Sequence, residues 1–171
     1  MKKRIIALGL LWCLFAVMLQ AARVDTVLVR SAAMNKDVKV VYVLPDKAIG
    51  KQACPVVYLL HGYGGNARSW VQLKPELPQM ADEKGIIFVC PDGKNSWYWD
   101  SPENPAYRYE TFVTSELVKY TDGNYATIPD RKARAISGLS MGGHGALWSA
   151  IRHKDVLGAA ASMSGGVDIR P

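Results

Sequence analysis

The spacing of apolar and polar positions changes several times along the chain, and each change marks an element. Residues 24–29 (VDTVLV) and 38–44 (VKVVYVL) are β-branched runs separated by residues 31–37, the pattern of an antiparallel strand pair. Residues 45–52 are polar and read as a loop. Residues 55–60 (PVVYLL) and 86–90 (IIFVC) are short continuous apolar runs, which suit strands buried on both faces of a parallel sheet. Between them, residues 69–84 carry Leu73, Leu77, Met80 and Ala81 at helical spacing. Pro75 and Pro78 predict that this helix starts late, and Gly85 is a good stop. The strand–helix–strand order implies a right-handed parallel crossover. Residues 107–121 read as another helix, with Phe112, Val113, Leu117, Val118 and Tyr120 on its apolar side and Glu110 and Glu116 solvated or paired with local bases. Residues 134–137 form a strand, 142–153 a helix, and 156–164 (VLGAAASMS) a further buried strand of small residues.

The junction between the 134–137 strand and the 142–153 helix is Gly138-Leu139-Ser140-Met141-Gly142. A serine on a sharp strand-to-helix turn needs small residues two positions away on either side, or the turn cannot close. Ser140 Oγ then stands clear of the sheet, at a helix N-terminus that favours developing negative charge. Gly143, Gly145 and Ala146 let that helix press closely on the sheet.

A second glycine-rich turn follows the 55–60 strand: His61-Gly62-Tyr63-Gly64-Gly65-Asn66. It lacks the Lys-Ser/Thr pair of a phosphate loop and the glycine spacing of a dinucleotide site. The H-G-x-G-G form instead suits an oxyanion loop paired with a serine elbow. One amide would come from Tyr63 and the other from Met141. His61 and Gly62 shape that loop. Residues 91–105 form a long loop leaving the carboxyl end of a strand, the side where open α/β sheets bind ligands. It contains Trp97-Tyr98-Trp99, read either as a wall of a substrate pocket or as aromatics that tuck the loop onto the core.

Composition adds three limits. The chain has 171 residues, of which 49% are apolar and 21% charged, enough for one domain with a real core. The net charge of +6 falls to +3 once Lys2, Lys3 and Arg4 are set aside, and the remaining bases are scattered, which argues against nucleic-acid binding. Those three bases precede a 15-residue apolar run, 5–19, and then Gln20-Ala21-Ala22. This is the pattern of a cleaved secretory signal over residues 1–22, with an exported domain, periplasmic or extracellular, over 23–171. An uncleaved anchor would need about 20 apolar residues. Cys13, behind bulky Leu11 and Trp12, is a poor lipid-attachment site. Cys54 starts one predicted strand and Cys90 ends the next. Parallel pairing would hold them roughly 15 Å apart, as two buried free thiols.

The stretches LLHGYGG (59–65), PDG (91–93) and GLSMGGHGAL (138–147) make the chain resemble the α/β-hydrolase superfamily. Within it, the chain is similar to the esterase family that includes esterase D, bacterial feruloyl and acetyl-xylan esterases and the mycolyltransferases. The resemblance implies a three-layer α/β sandwich, mostly parallel, with an antiparallel strand pair at the N-terminus. It implies Ser140 as nucleophile, Tyr63 and Met141 as oxyanion amides, and cleavage of a small-molecule or polysaccharide-linked ester through an acyl-enzyme. No metal or cofactor is called for, and no membrane partner after signal cleavage; the oligomeric state stays open.

A serine hydroxyl needs a histidine to take its proton and a carboxylate to orient that histidine. In this fold they follow the serine in the order acid, then histidine. After Ser140 come only His144, one helical turn on, and His153, at the far end of the same helix. His144 reads as a pocket-edge or packing residue. Asp168 lies one strand too early for the acid. The expectation is an N-terminal portion whose triad Asp and His lie beyond Pro171, without triad activity alone and with a bare sheet edge. An acyltransferase or a serine peptidase on the same fold, or a non-catalytic binding module, are the other readings.

Overall fold

The computed structural model describes residues 22–168. The expected signal segment lies, but for Ala22, outside the described residues. Six strands form one sheet in the order β1-β2-β4-β3-β5-β6. β1 (Arg23–Ser31) and β2 (Lys36–Leu44) pair antiparallel, and β2 pairs antiparallel with β4 (Ile87–Pro91). β3 (Val56–Leu60) lies parallel between β4 and β5 (Arg134–Leu139), and β6 (Ala159–Met163) is parallel at the far edge.

Alternation along the strands divides the core in two. Val40, Tyr42 and Leu44 of β2, Ile87 and Val89 of β4, and Tyr58 and Leu60 of β3 face one side. Val41, Val43, Phe88, Cys90 and Leu59 face the other. The second face is covered by α2 (Ser69–Leu73) and α3 (Leu77–Lys84), through Trp70, Leu77 and Ala81. The first is covered by α4 (Tyr109–Thr111), a π-helical turn (Phe112–Glu116), α5 (Leu117–Asn124) and α6 (Met141–Arg152). This is the expected three-layer, mostly parallel sandwich.

Four details differ from the sequence pattern. The 45–52 loop contains a short helix, α1 (Asp46–Ile49), entered at Pro45. The 69–84 helix is two helices, because Pro75 lacks the N–H that continuity needs; α3 ends at Gly85, at a left-handed φ of 62°. Glu110 is buried and paired with bases that are distant rather than local: its carboxylate accepts hydrogen bonds from Trp148, Arg152 and His153 and fastens α4 to α6. Finally, β6 is not buried. All five of its residues are exposed, because it is the outermost strand. The two cysteines are free and buried. Among the described residues, no helix is long and apolar enough to cross a membrane.

Candidate active site

Register brings the two glycine-rich turns together. Leu60 pairs with Gly138, so Gly62 and Ser140, two residues further along parallel strands, stand level. A Cβ on Gly62 would lie 3.3 Å from Leu139 O and 3.6 Å from Ser140 Cβ. Behind the serine the packing is tighter. A Cβ on Gly138 would meet Gly142 O at 2.2 Å, and one on Gly142 would meet Leu60 O at 2.2 Å. The glycines flanking Ser140 are thus fixed by backbone atoms that cannot give way.

Ser140 occupies φ 53°, ψ −117° at the N-cap of α6. A side chain held there costs about 1–3 kcal/mol, a strain characteristic of functional turns. The surroundings over-determine it: Ser140 N–H donates to Met163 O at 2.8 Å, and His144 N–H to Ser140 O at 3.0 Å. The residue is exposed, while Met141 beside it is buried. Met141 opens α6, so its N–H has no partner within the helix. The Tyr63 side chain points to solvent at 66% exposure, which suits a residue contributing only its amide.

The oxyanion loop is propped from the loop after β4. His61 Nδ1–H donates to Gly62 O at 2.7 Å, and Gly93 N–H donates to His61 Nε2 at 2.9 Å. Gly64 N–H donates to Asn95 Oδ1 at 2.8 Å. Asp92 lies 3.7 Å from His61 Nε2 and accepts from Lys94 at 2.8 Å. Burial works against the Asp92 charge, but the Lys94 ammonium and the Lys94 backbone N–H more than offset it and hold the carboxyl far below the usual range. Asn95 and Asp92 were not singled out for the site from sequence. PDG was visible as a motif, but the Gly64–Asn95 contact spans 31 positions and leaves no local signal.

Of the three loop aromatics, Tyr98 takes the core reading, and the other two pack around His144. Tyr98 is fully buried, its hydroxyl donating to His61 O at 3.2 Å. Cβ atoms on Gly93 and Gly145 would each strike its ring, so those glycines are its seat. Trp97 is half-buried and Trp99 is 36% exposed, and both lie edge-on to His144 at 5.4 Å.

His144 donates from Nδ1 to Gly166 O at 2.8 Å and accepts at Nε2 from Trp99 Nε1–H at 2.8 Å. His61 and His144 therefore have both ring nitrogens engaged away from Ser140. His153 is 13 residues along α6, roughly 20 Å from the serine. Asp168 is exposed beyond β6. The described residues thus bring together an elbow serine and two candidate amides, and no histidine positioned to deprotonate Ser140.

A family model described as "Putative esterase" matches residues 31–171. An acetyl esterase of Caldicellulosiruptor saccharolyticus is 29% identical over 143 residues, covering 78% of this chain and 53% of that protein. The diacylglycerol acyltransferase/mycolyltransferase Ag85A of Mycobacterium gordonae is 32% identical over 155 residues, covering 85% of this chain and 43% of that one. A solved ferulic acid esterase superposes with a TM-score of 0.75 at 30% identity, covering 87% of this chain and 62% of the other. The chain spans about half the length of the curated relatives it matches.

Proposed function

Since the chain belongs to this esterase family of α/β-hydrolase fold, we propose that it is the nucleophile-bearing part of an exported serine carboxylic-ester hydrolase. Ser140 Oγ attacks the acyl carbonyl while a histidine takes its proton. The carbonyl oxygen becomes an oxyanion between the Tyr63 and Met141 N–H groups, each worth about 3–4 kcal/mol of barrier lowering. Collapse expels the alcohol, which leaves with that proton, and forms acyl-Ser140. Water, deprotonated by the same histidine, then releases the acid. That histidine is neither His61 nor His144. The occupied ring nitrogens of His61 and His144 support this.

The observation that carries the proposal is the strained Ser140 set level with the Gly62–Tyr63 turn. The export step rests on the residue pattern of 1–22. Short-chain or aromatic acyl esters, free or on polysaccharides, are the proposed substrates, supported by the acetyl and ferulic acid esterase relatives. The mycolyltransferase relative favours a second reading, acyl transfer from Ser140 to a hydroxyl acceptor.

A fluorophosphonate probe on the full-length protein tests the first reading. Labelling confined to Ser140, and loss of about 10⁴-fold or more in kcat in Ser140→Ala, are the expected results; an unlabelled serine would sink it. Transfer to an added alcohol in preference to water would select the second. The 171-residue chain alone is expected to hydrolyse p-nitrophenyl acetate no faster than its Ser140→Ala variant.

A further inference from the structure

His144 is enclosed by three indoles. Besides Trp97 and Trp99, Trp148 stacks on it one helical turn on, with centroids 6.1 Å apart and planes at 17°. Its hydrogen bonds tie together three segments distant in sequence. Nε2 takes the Trp99 indole from the loop after β4, Nδ1–H reaches Gly166 in the loop after β6, and the residue itself belongs to the first turns of the elbow helix. The tied loops are strained. Trp97 and Tyr98 sit at φ 56° and 60°, and Ser164 at 50°. Left-handed backbone at bulky residues costs about 1–3 kcal/mol each and persists only where side chains hold it. Tyr98 is anchored in the core, and Trp97 packs half-buried against the core's edge, where a Cβ on Gly166 would lie 3.2 Å from its ring. Trp99 lies further out, held by its bond to His144 and its contact with Trp148.

We propose that His144 is a positioning residue, a latch that fixes the Trp97–Trp99 loop and the Gly165–Gly166 turn against the elbow helix and so sets the wall of the acyl-ester pocket beside Ser140. The proposal rests on the esterase reading for the pocket's purpose, but the latch itself is a matter of two hydrogen bonds. The geometry specifies the Nδ1–H tautomer. An acceptor at Nε2 is what Trp99 needs, and a side chain without one leaves the indole N–H unpaired. The charged groups around the cluster are Asp100 beside Trp99, bound to Thr111; Glu110 and Arg152 behind Trp148; His153 on Glu110; and Asp168 past Gly166.

Two variants separate a latch from its alternatives. Gln in His144→Gln can still accept from Trp99, whereas Phe in His144→Phe keeps the ring volume and neither bond. On the chain as it stands, the tryptophan emission spectra of the wild type and both variants are compared. His144→Gln is expected to keep the wild-type maximum, and His144→Phe to move it to longer wavelength as Trp99 loses its acceptor and meets water. Identical spectra in the wild type and both variants would overturn the latch. In the full-length enzyme, His144→Phe is expected to raise KM about 10-fold with kcat nearly unchanged, and His144→Gln to recover most of it. Equal KM values for the two variants would reduce His144 to packing, and a kcat loss of about 10⁴-fold in both would make it the base. An inactive full-length protein in which the emission difference between His144→Gln and His144→Phe persists supports the latch and counts against the esterase reading alone.

Discussion

β5 and β6 are hydrogen-bonded neighbours in one sheet, yet they meet their surroundings in opposite ways. The carboxyl end of β5 is closed in by backbone: Gly138 against Gly142, Gly142 against Leu60 and His61, and Gly62 against Leu139. β6 carries Ala159, Ala160, Ala161, Ser162 and Met163, every one of them exposed. The difference separates two kinds of part in the proposed enzyme. The strained serine and the two candidate amides need only that backbones approach closely, and β3, β5 and α6 supply that. Proton transfer would need a side-chain base, and exposed β6 brings none to Ser140 among the described residues.

The comparison breaks most visibly at Gly142→Ala. Its Cβ would lie 2.2 Å from Leu60 O and 2.7 Å from His61 O, both backbone. A loss of about 4 kcal/mol or more, or failure to fold, is expected in urea unfolding. A loss under about 1 kcal/mol would show that the elbow backbone can give way. Next in size is Glu110→Gln, which keeps an acceptor for Trp148 but removes the charge facing Arg152 and His153. Arg152 is half exposed, so about 2 kcal/mol is expected rather than the sum of two charged bonds.

Asp92 sharpens the comparison through pH. Its folded carboxyl is held below the unfolded value by the Lys94 ammonium and backbone N–H against the opposing effect of burial. Its contribution is therefore complete above the ordinary carboxylate range, near pH 4, and is lost as pH falls from there towards the folded value. Acid unfolding of Asp92→Asn is expected to show a shallower slope below about pH 4 than the wild type; superimposable acid limbs would refute the contact. The smallest stability effect belongs to β6. Ala161→Lys should change unfolding free energy by less than about 0.5 kcal/mol. It should also lower self-association of the 171-residue chain in sedimentation velocity, because a charged edge strand resists pairing. Unchanged association would mean that the edge is not the sticky surface.

Much of this site is legible in the residues because its requirements are local. G-L-S-M-G and H-G-Y-G-G state where backbone must come close, and the strand register then sets them side by side. The fate of Trp97-Tyr98-Trp99 is not local. Three adjacent aromatics look alike in sequence, yet Tyr98 goes to the core because Gly93 and Gly145 leave it a seat, while Trp97 and Trp99 stay at His144. Glu110 is illegible for the same reason. It looks like any acid on an amphipathic helix, and its partners lie 38 to 43 positions away.

The sequence by itself determined the alternation of strands and helices, the serine turn and its glycine partner, because periodicity and steric exclusion act over a few residues. Tertiary structure alone decided that an apolar run such as AAASM would be an exposed edge, since burial belongs to neighbours and not to the strand. It alone decided that His61 and His144 would spend both ring nitrogens on loop contacts. A histidine's role follows from which donors and acceptors reach its ring, and those came from segments far along the chain.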